Sequence, residues 1–437
     1  MHSDTVPPTA YDIGGQRWVK DAPGFAEAIA QAFEQRLRPR CLCRRNPDGQ
    51  GIEMYVARLM DCYIVKRMPN TGNHHSTNCP SYEQPAEFSG LGALIGTAIV
   101  ENTGTGKTTL KLDFPLAKLP GRSSPQAVAS ANSSVTSQGL KLSLRALLHY
   151  LWEQAELSHW KPSFSGRRSW GTVRKLLLQA AQDKLIHGQA LISSFYVPEV
   201  FSVEQSNAIH ERRRQRWSYA LHKPNQVQPL MLIVAEVKAI DRARIGHKAI
   251  LKHLPEQAFT LDEPMFRRLA RNFERELSLW CTEPDTHLIM IATFWMDEAG
   301  TPVVIELSLM VTTAHWLPVK NAWDLQLTNA LVRNGRSFIK GLRYNAAPDQ
   351  ELVVASLLDC GDAPRPLYID YEQSLGEPHM PCFTALNDRG HGPTWRWHPS
   401  DGDMPALPMK QARQPTFPRT VHYGRHVTPM NLGTQGS

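Results

Sequence analysis

Residues Cys41 to Cys79, CLCRRNPDGQGIEMYVARLMDCYIVKRMPNTGNHHSTNC, decide the fold of the first part of the chain. Cys41 and Cys43 are two residues apart, so in an extended segment both thiols point to one side. Two short runs rich in β-branched and aromatic residues follow, at 54–57 and 63–65, with a polar turn between them. This pattern predicts a β-hairpin that carries the chain back toward its starting point.

The far end of this hairpin carries further candidate metal ligands. A Pro-Asn-Thr-Gly turn leads to His74, His75 and Cys79. The two first thiolates, one imidazole and a third thiolate would form a Cys3His tetrahedral set, which is typical of structural zinc with no position left for water. Either histidine has a workable spacing to Cys79. The alternative is a set of unrelated cysteines and surface histidines in a reduced protein.

Length and composition set the broad class. The chain has 437 residues, 42% of them hydrophobic, which predicts two to three domains of a globular protein. No apolar run is long enough to cross a bilayer, and the first residues do not resemble a signal peptide. Seven scattered cysteines favour a reducing, cytoplasmic location over a disulfide framework. The net charge of +7 makes an anionic partner plausible.

The pattern of apolar residues predicts an α+β (mixed α/β) fold in successive parts. These are an N-terminal helix with the zinc-binding hairpin, a Ser-, Ala- and Gly-rich linker, a basic helical region, a mixed-sheet domain, and a disordered Pro-, Gly- and His-rich tail. The predicted bounds are 1–120, 121–139, 140–228, 229–383 and 384–437.

Several motifs carry a resemblance to a known family. They include RPRCLC at 38–43, YIVKRMPNTGNHH at 63–75, IATFWMDEAG at 291–300 and SFIKGLRYN at 337–345. In these the chain resembles the bacterial family called domain of unknown function 1173. The resemblance implies an accessory protein of plasmids or integrative elements, with other mobile-element proteins as possible partners, and it implies no established activity. By the family pattern, the histidine of the cluster is His75.

The helical region is the most basic part of the chain. Residues 140–220 carry 12 Lys or Arg against 6 Asp or Glu, interleaved with tryptophans. Cations for phosphates and aromatic rings for stacking are typical of a surface that binds DNA or RNA. Alternatives are a solvated basic face, or a protein-interaction module that meets an acidic partner. The candidate phosphate contacts are Arg167, Arg168, Arg174, Arg212, Arg213 and Arg214.

Residues 99–110, IVENTGTGKTTL, look like a phosphate-binding loop. Such a loop needs a glycine where Glu101 stands, and it needs a helix after the lysine. Here an alternating, strand-like run follows Lys107 instead. The sequence therefore predicts that residues 102–106 form a β-hairpin turn and bind no nucleotide.

Two groups of carboxylates suggest a metal-dependent nuclease of the PD-(D/E)xK kind as an alternative function. Glu236–Lys238 ends an apolar strand but lacks the upstream acid of that motif, which favours a charged pair on a strand that emerges into solvent. Asp359 and Asp370 are assigned to adjacent predicted strands, with Lys340 on the strand before them. Glu372 stands where the motif expects a lysine.

Overall fold

A computed structural model describes residues 9–45, 48–59, 62–118, 141–346, 352–361, 363–370 and 394–411. Helices and strands are mixed throughout, which confirms the α+β prediction. The predicted linker, the predicted tail outside 394–411, and Glu372 lie outside the described residues. Across these described ranges, no helix is long and apolar enough to span a membrane.

The helices and strands are as follows. In the part of the chain that the structure describes there are eight helices: α1 (Phe25–Glu34), α2 (Leu144–Gln154), α3 (Trp170–Ala181), α4 (Leu191–Ser194), α5 (Ser206–Trp217), α6 (Glu263–Asn272), α7 (Glu274–Thr282) and α8 (Ala322–Arg333). The strands are β1 (Ala10–Ile13), β2 (Gln16–Val19), β3 (Arg40–Arg45), β4 (Gly51–Leu59), β5 (Cys62–Arg67), β6 (Ile99–Asn102), β7 (Lys107–Leu110), β8 (Ala117–Lys118), β9 (His159–Trp160), β10 (Lys184–Ile186), β11 (Gln189–Ala190), β12 (Phe195–Tyr196), β13 (Gln228–Pro229), β14 (Met231–Arg242), β15 (His247–Leu251), β16 (Leu254–Leu261), β17 (Thr286–Met296), β18 (Pro302–Thr313), β19 (Pro318–Val319), β20 (Phe338–Lys340), β21 (Ala355–Leu357), β22 (Arg365–Ile369) and β23 (Trp395–Trp397).

The first sheet holds the hairpin that the sequence predicts. Its strand order is β2-β1-β3-β4-β5, and β4 pairs antiparallel with β5, with Val56 opposite Val65. Helix α1 buries Phe25, Ile29 and Ala32, which recur at helical spacing, in the same apolar core as this sheet. The N-terminal helix and the hairpin therefore form one packed unit.

Five strands of the largest sheet close into a barrel. β14 pairs antiparallel with β15 and β17, β15 with β16, and β17 with β18. A parallel pair between Thr260 and Val303 joins β16 to β18 and completes the ring. Alternate residues of β14 belong to two different cores: Met231 to one and Leu232 to the other. This explains why the strand is an unbroken apolar run, as a buried strand requires.

Strands far apart in the sequence share two further sheets, one of five strands and one of four. β9 pairs with β20, and β10 runs parallel to β7. In each of these sheets, strands from two of the predicted domains are hydrogen-bonded to each other. The domain bounds stay a prediction.

Residues 394–411 of the predicted tail belong to the fold. β23 pairs with β22, and Trp395 and Trp397 are buried in a core with Leu367. Arg336 also donates a hydrogen bond to the carbonyl of Pro408 at 2.7 Å. Disorder was therefore the wrong prediction for this stretch, because its two tryptophans supply the apolar area that the surrounding Pro- and Gly-rich sequence lacks.

Apolar residues recur at helical spacing from Glu263 to Trp280, which predicts one helix, but the structure has two, α6 and α7. The helical backbone is interrupted at Phe273, whose dihedral angles (φ −122°, ψ 26°) lie outside the helical region. Phe273 packs against the barrel core, as do Leu277 and Trp280 of α7. Packing therefore interrupts a periodic pattern that looks continuous in sequence.

The loop that looks like a phosphate site is a β-hairpin turn, as predicted. β6 pairs antiparallel with β7, with Asn102 opposite Lys107. The Asn102 side-chain oxygen accepts hydrogen bonds from the amides of Gly104 at 2.9 Å and Thr105 at 3.0 Å. Those amides are therefore occupied, and a phosphate-binding loop needs its amides free.

We expect Mg-ATP to leave the melting temperature of the wild-type protein unchanged. Lys107→Ala should behave in the same way, and it should shift the free energy of unfolding by less than about 0.5 kcal/mol because this lysine is an exposed surface residue. Calorimetric titration with ATP checks the first expectation. Saturable ATP binding that disappears in Lys107→Ala would overturn this interpretation.

Candidate metal centre

Cys41, Cys43, His75 and Cys79 converge on one point. Each offers a ligand atom, and these four atoms all lie within 4.8 Å of one another. The sulfurs of Cys41 and Cys79 are 3.7 Å apart. Nδ1 of His75 is 3.3 Å from the Cys43 sulfur and 3.6 Å from the Cys79 sulfur. The sequence-predicted ligands therefore do come together.

These distances test whether zinc fits. With zinc–sulfur bonds of about 2.3 Å and zinc–nitrogen bonds of about 2.0–2.1 Å, a tetrahedron has sulfur–sulfur edges of about 3.8 Å and sulfur–nitrogen edges of about 3.6 Å. The observed 3.7 Å and 3.3–3.6 Å agree with those edges. What distinguishes this cluster from a single sulfur contact is that three sulfurs and one ring nitrogen lie close to one common point. The donor set and its geometry thus fit a tetrahedral metal ion.

Backbone geometry explains how the four residues meet. β3 carries Cys41 and Cys43, and its pairing with β4 is irregular just after Cys41. The loop that carries the other two ligands is closed at its base, where the Glu83 amide donates to the Gly72 carbonyl at 3.1 Å. A Cβ on Gly72 would lie 2.6 Å from the Cβ of Glu83, so only glycine permits this approach. The structure also selects His75, which is buried, over the exposed His74.

The surroundings of the centre favour thiolates. The backbone amide of Ser76 donates to the Cys43 sulfur, and that of Ser81 donates to the Cys79 sulfur, each at 3.4 Å. Hydrogen bonds with the thiols of Cys41 and Cys79 lower the pKa of Cys43 to about 3. The hydrogen bond to Cys43 raises the pKa of Cys41, and the contact with Cys79 and burial add to that. The thiols by themselves thus favour one thiolate, whereas a bound cation deprotonates a coordinating thiol outright.

The remaining ring nitrogen of the histidine is unusual. Nε2 of His75 is buried and has no hydrogen-bond partner among the described residues. A metal-ligating histidine usually donates this N–H to a carboxylate, a carbonyl or water. Nδ1 is the atom that faces the sulfurs of Cys43 and Cys79, so Nε2 is not the nitrogen offered to a metal ion here.

A polar cavity of about 270 Å³, which the sequence did not reveal, adjoins the centre. Residues 80–83, directly after the last ligand, form part of its wall. Arg67 crosses it to Glu83 and lies 3.8 Å from Glu101, while the buried Lys184 pairs with Asp183 at 2.6 Å. These charges come from four separate elements, so no local motif signals them. Each is neutralised by a neighbour, and the cavity is a polar junction between the first sheet and the rest of the fold.

Glu236 is buried, which corrects the prediction of a charged pair on an emerging strand. Its carboxylate lies 2.7 Å from Nδ1 of His287 and accepts a hydrogen bond from Lys252 at 2.9 Å. Lys238, its predicted companion, is exposed. Burial raises the pKa of Glu236, but the hydrogen bonds from His287 and Lys252 outweigh it, so the pKa is lowered. The long-range pairing of β14 with β17 creates this contact, and the local sequence does not contain it.

This shift predicts a pH dependence of stability. A carboxyl whose pKa is lower in the folded state stabilises the protein above its unfolded-state value of about 4.3, and that contribution is lost as the pH falls through the folded-state pKa. Glu236→Gln should therefore lose less unfolding free energy than the wild type on acidification, by about 1.4 kcal/mol per unit of pKa shift. Urea denaturation at a series of pH values measures this. Glu204→Gln, at an exposed position, is the control and should follow the wild type.

The three candidate nuclease residues have separate partners. The buried Lys340 pairs with Asp324. Asp359 accepts hydrogen bonds from Arg336 at 2.7 and 2.9 Å. Asp370 pairs with Arg396 at 2.8 Å. Within the described ranges, neither aspartate belongs to a group of three or more metal-ligating side chains. Their catalytic role stays a prediction, and what the structure shows is three distinct ion pairs.

The six candidate phosphate contacts are mostly engaged within the protein. Arg168 and Arg174 donate to backbone carbonyls, Arg168 to that of Leu157 at 2.9 Å and Arg174 to that of Val197 at 3.2 Å. The three consecutive arginines pair with carboxylates: Arg212 with Glu199, Arg213 with Glu256 and Arg214 with Glu211. Arg213 is 3% exposed and leaves no surface for a phosphate. Arg167 is exposed, and the nucleic-acid role of this face stays a prediction.

Comparison with known protein families identifies the family of this chain. A family model described as "Protein of unknown function (DUF1173)" matches residues 11–400, a range that includes all four residues of the metal centre. No curated protein matches the chain, and no solved structure matches it. Because the matched range is most of the chain, the protein belongs to the DUF1173 family.

Proposed function

We propose that this protein binds one Zn²⁺ through Cys41, Cys43, His75 and Cys79, and that the ion is structural. The observation that carries the proposal is the agreement of the sulfur–sulfur and sulfur–nitrogen distances with the edges of a zinc tetrahedron. Thiolate and imidazole ligands in this geometry select zinc over the hard cations, which prefer oxygen. Four protein ligands leave no open position for water or substrate, so the ion has no catalytic role.

The ion would stabilise a part of the chain that has little regular structure of its own. Between β5 and β6 the described backbone forms only short 3-10 turns. Bound zinc would fasten this segment, through His75 and Cys79, to β3 and so to the first sheet. A structural zinc ion contributes directly to folding free energy, since the site does not exist in the unfolded chain. The accessory role in mobile DNA and the cytoplasmic location stay predictions.

Metal analysis of purified protein tests the proposal. We expect about one zinc per chain after dialysis against metal-free buffer. Protein refolded with cobalt should show the visible d–d absorption of tetrahedral Co²⁺ with thiolate charge-transfer bands, because zinc itself is spectroscopically silent. Protein that folds fully and holds no zinc, and that takes up no cobalt, would refute the proposal.

A further inference from the structure

The barrel of β14 to β18 has the strand arrangement of an OB-fold. Numbered along the chain, its five strands follow one another around the ring in the order 1-2-3-5-4, with the third and fifth strands parallel. α6 and α7 lie between the third and fourth strands. The first strand pairs with the fourth over its first half and with the second over its last part, with an irregularity after Val237. Barrels of this kind bind oligonucleotides or oligosaccharides with the face of strands 2 and 3 and with the loops 1–2 and 4–5.

Fold alone does not assign a ligand, so the residues of those loops must do so. The loop between β14 and β15 presents Ile245, which is 86% exposed. Arg242 and Arg244 precede it in the chain; both are exposed, and neither has a side-chain hydrogen bond or an ion pair with any residue that the structure describes. The loop therefore presents one exposed apolar side chain together with two cations that have no partner among the described residues.

The charge carried by this loop and its flanking strand ends is mostly positive, and the Glu263 carboxylate of α6 lies 3.6 Å from the His247 ring. Residues 238–252 carry five Lys or Arg side chains against one Asp. Lys248, on β15, is opposite that aspartate, Asp241, in the ladder. The loop between β17 and β18, which is loop 4–5, carries the acidic residues Asp297 and Glu298. The cationic surface is therefore confined to the end of the face at the loop between β14 and β15. An anionic partner is what this charge complements.

The loop is held in place. Gly246 has φ +68°, and a Cβ there would lie 2.6 Å from the carbonyl oxygen of Leu261. The His247 ring stacks on Phe266 of α6, with ring centroids 3.4 Å apart and planes 8° apart. Arg242, Arg244 and Ile245 are thus presented on a fixed turn, which reduces the entropy lost on binding.

We propose that this loop and β15 bind single-stranded nucleic acid, with Arg242, Arg244 and Lys248 on phosphates and Ile245 against the face of an unstacked base. A single strand fits better than a duplex, since reaching a base face in a duplex costs a few kcal/mol of unstacking. Recognition would be tolerant of sequence, because phosphate contacts carry no base information and every base has an apolar face. This surface is independent of the zinc centre.

Fluorescence anisotropy with a labelled oligothymidine and an oligouridine of equal length, over a series of salt concentrations, tests the proposal on the zinc-loaded full chain. Each phosphate contact to a single strand contributes a slope of about −0.7 in log K against log salt. Arg242→Ala/Arg244→Ala should therefore flatten the slope by about 1.4. Ile245→Ala should weaken binding several-fold and leave the slope unchanged, because it removes contact area and no charge.

The matched control is Arg17→Ala/Lys20→Ala, which removes the same charge from two exposed residues in and directly after β2, outside the barrel. It should keep the wild-type slope. All three variants should melt as the wild type does, since the changed side chains lie at the surface. The proposal is overturned if both double variants change the slope equally, if the wild type binds neither oligonucleotide at low salt, or if it binds only duplex DNA or vesicles of anionic phospholipid.

Discussion

Cys43→Ser should release the zinc ion and unfold the sheet of β1 to β5. Removing one of four ligands opens the coordination shell, and the two other sulfurs then remain in contact without the cation that neutralises them. Structural zinc contributes about 10–16 kcal/mol to the folding of zinc-finger peptides. A hydrophobic core also supports the sheet here, so the free energy of unfolding should fall by several kcal/mol and not by the full amount. Elemental analysis should show less than one zinc per chain, and hydrogen exchange should rise across the first sheet.

Cys281→Ser is the control for this experiment, because Cys281 is exposed on α7 and lies outside the metal centre. It should keep the full zinc content and the wild-type melting temperature. Addition of a strong chelator to the wild type should reproduce the effect of Cys43→Ser. A Cys43→Ser protein that retains one tightly bound zinc and the native exchange pattern would show that Cys43 is not a ligand.

Asp324→Leu should destabilise the protein by about 3–5 kcal/mol, because it leaves the ammonium group of Lys340 buried without its counter-charge. Lys340 is 1% exposed, and its remaining hydrogen bond is to the Thr328 hydroxyl at 3.1 Å. Asp324 also accepts a hydrogen bond from the backbone amide of Lys320 at 2.9 Å, which the substitution removes. Equilibrium urea unfolding measures the change in free energy.

The double variant Asp324→Leu/Lys340→Met decides what this pair does. Replacing both members of a buried ion pair with apolar residues is often neutral or stabilising, so the double variant should be more stable than Asp324→Leu. A nuclease role for Lys340 predicts a loss of activity and not of stability. Lys340→Met would then abolish cleavage of DNA or RNA while costing little stability. Equal destabilisation by the single and the double variant would contradict the ion-pair account.

Local sequence was sufficient to predict the cluster of Cys41, Cys43, His75 and Cys79 and the hairpin beside it. Cys41 and Cys43 share a strand face by spacing, and the runs around Val56 and Val65 have the composition of paired strands. Helix α1 follows from its apolar stripe in the same way. In each case the contacts that define the structure join residues near in sequence, or they join side chains whose metal-binding chemistry limits which residues can share one site.

Long-range pairing accounts for what the sequence did not show. The closed barrel depends on one parallel pair, Thr260 with Val303, and no local pattern encodes it. The local sequence predicted an exposed Glu236, because its partner His287 is about fifty residues away, on a strand that follows two helices. Composition counts Arg213 as a surface charge of the basic region, whereas its burial against Glu256 can be seen only in the folded chain.

The core beneath the metal centre has a consequence for the order of folding during synthesis. Ile339 and Leu358 share that core with Cys41 and Cys79. At a translation rate of about 5–20 residues per second, a ribosome needs on the order of 15 to 60 s to pass from the last metal ligand to Leu358. Throughout that interval the apolar face of the first sheet lacks its final cover. Early capture of zinc by the nascent chain would hold the hairpin closed in the meantime, so zinc scarcity should reduce the yield of native protein more than it reduces the stability of protein already folded.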